Sequence, residues 1–219
     1  MIARLHFEEE KRQVMEQVLS MGTRVEEDLR KAISAFKDKN TALAEEVKAD
    51  DGVINGYQAS IEDSCARLIA TQQPVAQDMR WLIATIKIVD ELERVGDHAV
   101  HLAKAAIKLE KESHIKPLET LEKMADVGCE MIHLAVQAYM NLDTEQARKA
   151  AAMDDRIDGY HKELVSALLD YTQKHPDKVA QGTKIIQTSG YMERLGDHVT
   201  NICELIVYCV QGIHVELNE

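Results

Sequence analysis

Apolar residues recur at intervals of three and four along most of the chain. Val14, Val18, Met21, Val25, Leu29, Ala32 and Phe36 make one such stripe, the pattern of one face of a helix with 3.6 residues per turn. Breakers are few enough to divide the sequence. They fall at KDKNT, at QQP (Pro74), at HIKP (Pro117), at NLDT and at KHPDK (Pro176). The spacing predicts helices over about 5–38, 42–72, 75–110, 117–141, 144–173 and 177–212. Each Pro can stand at or near the first position of a helix, and Asn40–Thr41 and Asp143–Thr144 supply N-cap side chains.

Composition supports the same picture. Of the 219 residues 45% are hydrophobic, only 4% are aromatic, and there are ten Gly and three Pro. Good helix formers therefore dominate and strand-favouring aromatics are scarce, so the expected class is all-α.

The chain also repeats itself. DELERVGDHAVH (90–101) returns as GYMERLGDHVTN (190–201), with Glu93, Arg94, Gly96, Asp97 and His98 matched by Glu193, Arg194, Gly196, Asp197 and His198. Upstream, Phe36, Thr41, Ala44, Asp51, Ile54, Gly56 and Tyr57 match Tyr139, Thr144, Ala147, Asp154, Ile157, Gly159 and Tyr160 at an offset of 103. Residues 1–113 and 114–219 thus read as two divergent copies of one three-helix unit. The expected architecture is two tandem, pseudo-symmetric three-helix bundles, six long helices in all.

Glu93 and Asp97 lie four residues apart, as do Glu193 and Asp197, so each pair shares a helix face. The preceding helix of each unit carries a second pair, Asp51 with Asn55 and Asp154 with Asp158. Folding each hairpin levels the pairs. Asp51 with Asp97, and Asn55 with Glu93, centre on residue 74; Asp154 with Asp197, and Asp158 with Glu193, centre between His175 and Pro176. Four oxygen-bearing side chains at one height, in both copies, call for a cation. Such donors on facing helices suit iron, zinc, manganese or magnesium. The same levelling brings Glu27 and Glu130 of the first helices to this height as secondary candidates. The glycines beside these acids, Gly96 and Gly196, imply a close helix approach. The competing account of the acids is a solvated surface with Arg partners.

Charge and motif content narrow the function. The balance of 38 acidic against 26 basic residues, net −12, repels phosphate backbones and argues against a nucleic-acid partner. Cys65, Cys129, Cys203 and Cys209 sit among apolar residues without metal-ligand spacing, which predicts buried free thiols in a reducing compartment. MIARLHFEEEKRQV has no apolar signal core, and no apolar run approaches the about 20 residues of a membrane span. The expectation is a cytoplasmic protein with no direct membrane insertion. There is no phosphate-binding Gly loop, nucleophile elbow, dinucleotide turn or repeated ExxH pair, so catalysis is not indicated.

On ELERVGDHAVH (91–101), YMERLGDHVTN (191–201), TQQPVAQDMR (71–80) and the paired DDGVING and DDRIDGY stretches, the chain resembles the PhoU family over essentially its whole length. The family's E(D)xxxD pattern is met at Glu93/Asp97, Glu193/Asp197 and Asp154/Asp158, whereas Asn55 puts an amide where an acid is expected. His101 stands where its counterpart is Asn201, and both are further candidate ligands. Arg94, Arg194 and Arg80 are candidates for contacting a partner or phosphate. The resemblance implies iron or zinc on the carboxylates, a homodimer or larger assembly, and no chemistry on a substrate. It further implies a negative regulator of the phosphate-starvation response that couples the phosphate ABC transporter to a sensor histidine kinase at the inner face of the membrane. The alternative is a metal-binding helical protein or metalloenzyme, storage or phosphatase-like, outside signalling.

Overall fold

The computed structural model describes residues 2–113, 115 and 118–218, and every regular element among them is helical. α1 (Ile2–Asp38), α2 (Thr41–Gln72) and α3 (Ala76–Leu109) form the first bundle. The second holds α4 (Leu118–Asn141), α5 (Thr144–Ala151), α6 (Asp154–Lys174) and α7 (Val179–Gln211), with a 3₁₀ turn at Pro176–Lys178 leading into α7. The helix start expected at Pro117 and the repeat boundary at residue 114 lie outside the described residues.

One turn is used twice. Lys39 and Leu142, 103 residues apart, adopt φ 54° and φ 52°. The next residue closes the helix identically: the Asn40 N–H donates to Ala35 O at 3.0 Å, and that of Asp143 to Ala138 O at 2.9 Å. The same residues then cap the following helix. Asn40 Oδ1 accepts from the Leu43 N–H at 3.1 Å, and Asp143 Oδ1 from Glu145 and Gln146, both at 3.0 Å. A left-handed residue with a Cβ costs about 1–2 kcal/mol, which a cap worth about 1 kcal/mol and the closing hydrogen bond offset.

The helix expected over 144–173 is broken at Ala152 and Met153. No Gly or Pro is present there. The Met153 N–H bonds back to Ala150 O at 3.1 Å, tightening the chain so that Asp154 and Asp155 open a new helix. Carboxylates in a first turn face the positive end of the helix dipole. The first copy runs unbroken through the equivalent Ala49 and Asp50.

α3 packs on α1 and α2 and, across the repeats, on α7; α1 also packs on α4. α2 packs on α1 and α3, and α6 on α4 and α7. The helices that pair with α3 and α7 to carry the acids thus lie outside the inter-repeat contact. One contiguous apolar cluster spans both bundles and includes the whole α1 stripe from Val14 to Phe36. Trp81 and Tyr139 are buried in it with ring centroids 6.5 Å apart, and the Tyr139 hydroxyl is 2.8 Å from Thr85 Oγ1. This pair joins α3 of one copy to α4 of the other. All four cysteines are free and buried, and burial pushes their thiols up to about 11 or 12. No described helix is long and apolar enough to cross a membrane.

α7 ends at Gly212, which takes φ 72° and closes the helix through a 2.8 Å hydrogen bond from its N–H to Tyr208 O. The chain then turns back along α7. His214 stacks on Tyr208 at 4.4 Å, and the Leu217 N–H donates to Glu204 Oε1 at 2.8 Å.

Candidate carboxylate site

In the second copy the four expected acids act on one another. Asp154 is 5% exposed. Burial, with Asp197, Asp158 and Glu193 pushing the same way, raises its carboxyl to about 6, against the lowering effect of a hydrogen bond from Asn218. That bond runs from Asn218 Nδ2 to Asp154 Oδ2 at 2.6 Å, while Asp154 Oδ1 is buried without a hydrogen-bond partner. Glu193 is raised by burial, Asp197 and Asp158. Asp197 is raised by burial and Asp158, with His198 and Arg194 opposing. Asp158 also meets Lys162 Nζ at 3.3 Å on the exposed side.

Gly196 is what admits this arrangement. A Cβ there would collide with Asp154 Oδ1 and stand 3.3 Å from Ile157 Cδ1. At the equivalent Gly96 the neighbour is Ile54, its Cδ1 3.0 Å from an added Cβ. Close approach explains both glycines, but only the second makes room for a carboxylate.

The first copy is looser. Glu93 is raised by burial, then by Asp97, Asp90 and Asp51, with Arg94 opposing from 3.9 Å. Asn55 is exposed. Glu27 is exposed and 3.7 Å from Arg24, Glu130 is exposed, and neither is among the principal charges acting on Glu93 or Glu193.

His101 and Asn201 belong to the α3–α7 contact. His101 stacks on Tyr191 at 4.5 Å, and Asn201 Nδ2 donates to Glu91 Oε2 at 3.3 Å. His198 Nδ1 lies 2.6 Å from the same Glu91 oxygen, and His98 stacks on His198 at 5.3 Å. Burial, together with His198, His101, Arg194 and Arg94, lowers His98 to about 4, so it is neutral at pH 7. Arg94 and Arg194 are exposed, whereas Arg80 lies against Gly212 at the C-terminal end of α7, where a cation is favoured.

Sequence reasoning missed three participants. Asn218 carried no signal, being 64 residues from Asp154. Glu91 is a partner of both His198 and Asn201. The third is an acid pair of the first copy, buried Asp28 with half-buried Asp50. Burial, then a hydrogen bond to Asp50 and its charge, raise Asp28 to about 7. Burial acts to raise Asp50 as well, but hydrogen bonds from Lys31 and Asp28 and the charge of Arg24 hold it below the ordinary value. Arg24 Nη2 and Lys31 Nζ reach Asp50 at 2.7 and 3.1 Å. The spacing Met21, Val25, Asp28, Ala32 sets an acid on the apolar face and was the available clue.

The second patch brings together four carboxylates, one of them with a buried oxygen that has no partner, and the cation in direct contact with them is Lys162, on Asp158 at the exposed side. These residues fit a cation. Among the described residues no three His, Cys, Asp or Glu side chains are closed tightly enough to hold an ion as they stand, so loading requires side-chain rotation.

The architecture and the doubled acidic hairpin define a class: duplicated three-helix proteins with a carboxylate patch in each copy. The PhoU domain matches the chain twice, over residues 18–106 and 121–206. The chain belongs to the PhoU family. It is 34% identical to the phosphate-specific transport system accessory protein PhoU homolog of Clostridium acetobutylicum, over 97% of this chain and 98% of that one. The phosphate-specific transport system accessory protein PhoU of Escherichia coli K12 is 30% identical over 94% of this chain and 86% of its own. The crystal structure of PhoU from Pseudomonas aeruginosa superposes with a TM-score of 0.91 at 32% identity, covering 94% of this chain and all of that one. That of the phosphate transport system regulatory protein PhoU from Streptococcus pneumoniae gives 0.89 at 30% identity, covering 96% and 99%.

Proposed function

We propose that this protein is a negative regulator of the phosphate-starvation response, an adaptor rather than an enzyme. In this reading it works in the cytoplasm as a homodimer, couples the phosphate ABC transporter to a sensor histidine kinase, and modulates phosphate uptake. The observation that carries the reading is full-length similarity to proteins named as accessory to phosphate-specific transport. Asp154, Asp158, Glu193 and Asp197, and more weakly Asp51, Asn55, Glu93 and Asp97, would hold iron or zinc, with manganese or magnesium as substitutes. A bound ion would supply the positive charge that lets these acids ionise together. The acids would then tie α2 to α3 and α6 to α7, ordering the outer faces on which partners dock.

The test is genetic. In phosphate-rich medium, deletion should switch on an alkaline phosphatase reporter and the wild-type chain should switch it off. The Asp97→Ala, Asp197→Ala double variant should lose metal and restore repression only partly. A reporter that stays off in the deletion rejects the signalling role. Full repression and full metal content in the double variant would reduce the patches to ordinary surface.

A further inference from the structure

Asn218 places its amide on Asp154, the acid of the second patch that has a buried oxygen without a partner. The segment 213–218 is held by four contacts along its length: the His214–Tyr208 stack, the Leu217 N–H to Glu204, Leu217 against the core, and Asn218 Nδ2 to Asp154 Oδ2. Only the last reaches the carboxylates. Asp154 Oδ1 has no partner, and among the described residues no three acids are placed to hold an ion as they stand; turning Asp154 to close the cluster on a cation would draw Oδ2 off the Asn218 amide. The other contacts fix the segment along α7, so the amide is delivered at high local concentration. The hold is modest: Ile213 is 51% exposed, and the segment has no helix or ladder of its own.

We propose that residues 213–218 are a strap that competes with a metal ion for Asp154, so that loading the second patch releases the segment from α7. The proposal rests on the reading that this patch binds metal. It gives that site a regulated output: the empty patch keeps the strap down, and the loaded patch frees Asn218 and with it the surface of α7 around Glu204 and Tyr208. A cavity of about 420 Å³ lined by Lys87, Asp90, Glu91, Glu204, Tyr208 and His214 lies beneath the strap and would open with it.

The experiment is a Zn²⁺ titration against a chelating dye in an Asp97→Ala background, which silences the first patch. It compares the parent, Asn218→Ala, and a chain ending at Gln211. Hydrogen exchange of residues 213–218 is followed with and without Zn²⁺. A hydrogen bond to a charged group is worth enough to shift binding about tenfold or more. Asn218→Ala and the shortened chain should therefore bind Zn²⁺ about tenfold or more tightly than the parent, and exchange across 213–218 should rise on loading. Equal or weaker binding by Asn218→Ala, with exchange unchanged by Zn²⁺, overturns the strap and leaves the metal site standing. If neither the parent nor the shortened chain binds Zn²⁺, the metal reading itself falls and the strap with it.

Discussion

Gly96 and Gly196 occupy the same place in the two copies, yet a methyl group added at each should have different consequences. At Gly96 the new Cβ meets Ile54 Cδ1 at 3.0 Å and Cγ2 at 3.4 Å. The tip of an isoleucine can give by a few tenths of an ångström, and Ala gains about 1 kcal/mol over Gly within a helix. Gly96→Ala should therefore change stability by no more than about 1 kcal/mol in either direction. At Gly196 the Cβ lands on Asp154 Oδ1, with Ile157 Cδ1 at 3.3 Å behind it. The carboxylate must rotate or α6 must move, and either change breaks the 2.6 Å bond from Asn218. Loss of a hydrogen bond to a charged group costs about 1.5–3 kcal/mol. An off-rotamer side chain adds about 1 kcal/mol, against the same gain of about 1 kcal/mol in helix propensity. The net expectation for Gly196→Ala is a loss of about 1.5–3 kcal/mol.

Urea unfolding with unchanged m-values reads this directly. Asp154→Ala provides the second edge of a double-mutant cycle, since it removes the group the methyl displaces. In that background Gly196→Ala should be neutral or stabilising, giving a coupling of at least about 1 kcal/mol. If Gly96→Ala and Gly196→Ala cost the same, or if the cycle closes within about 0.5 kcal/mol, then Gly196 does not exist to seat Asp154.

Two further predictions concern pH in chelator-treated protein. Asp28 is raised to about 7, so between about pH 4 and 7 the native state keeps a proton that the unfolded chain has lost, and stability falls as pH rises. Asp28→Asn keeps a donor to Asp50 and removes that fall; melting profiles from pH 4.5 to 7.5 as steep as wild type would refute the buried proton. His98 is lowered to about 4, so its contribution is present above about pH 6.5 and is lost as pH drops towards 4. His98→Gln should abolish an acid-side loss of up to about 3 kcal/mol, and an unaltered acid limb in urea titrations would count against it. The two slopes oppose each other across the same window, so each variant should expose the other's.

The helices were legible because apolar spacing and a few breakers act locally. The duplication was legible because Asn40 and Asp143 perform the same capping in the same turn, and because the paired acids are set by distance from a hairpin tip. What escaped the sequence depends on contacts between distant segments. Nothing in KAAAMDD breaks a helix; the break at Ala152–Met153 accompanies the seating of Asp154 under Gly196, 42 residues further on. Asn218 has no periodic pattern to place it, and Glu91 reaches its partners only because α3 crosses α7.

The same comparison explains why the two patches should differ in their need for a cation. In the first copy Arg24 and Lys31 pair with Asp50, the residue before Asp51, and Lys31 also with Asp28. At the equivalent offsets the second copy has Val127, Leu134, Met131 and Met153, so it has lost that ionic layer altogether. The first patch also carries an amide at Asn55 in place of a fourth acid. Arg94 opposes Glu93 there, and one fewer carboxylate leaves the first patch with less charge to neutralise. The second keeps four acids, whose mutual repulsion adds to burial, and Asp154 is already pushed up to about 6. Lys162, His198 and Arg194 oppose part of that charge; protons, the Asn218 amide or a metal ion would offset the rest. Divergence of the two copies has thus left more carboxylate charge on the second patch, where the chain also places the Asn218 amide.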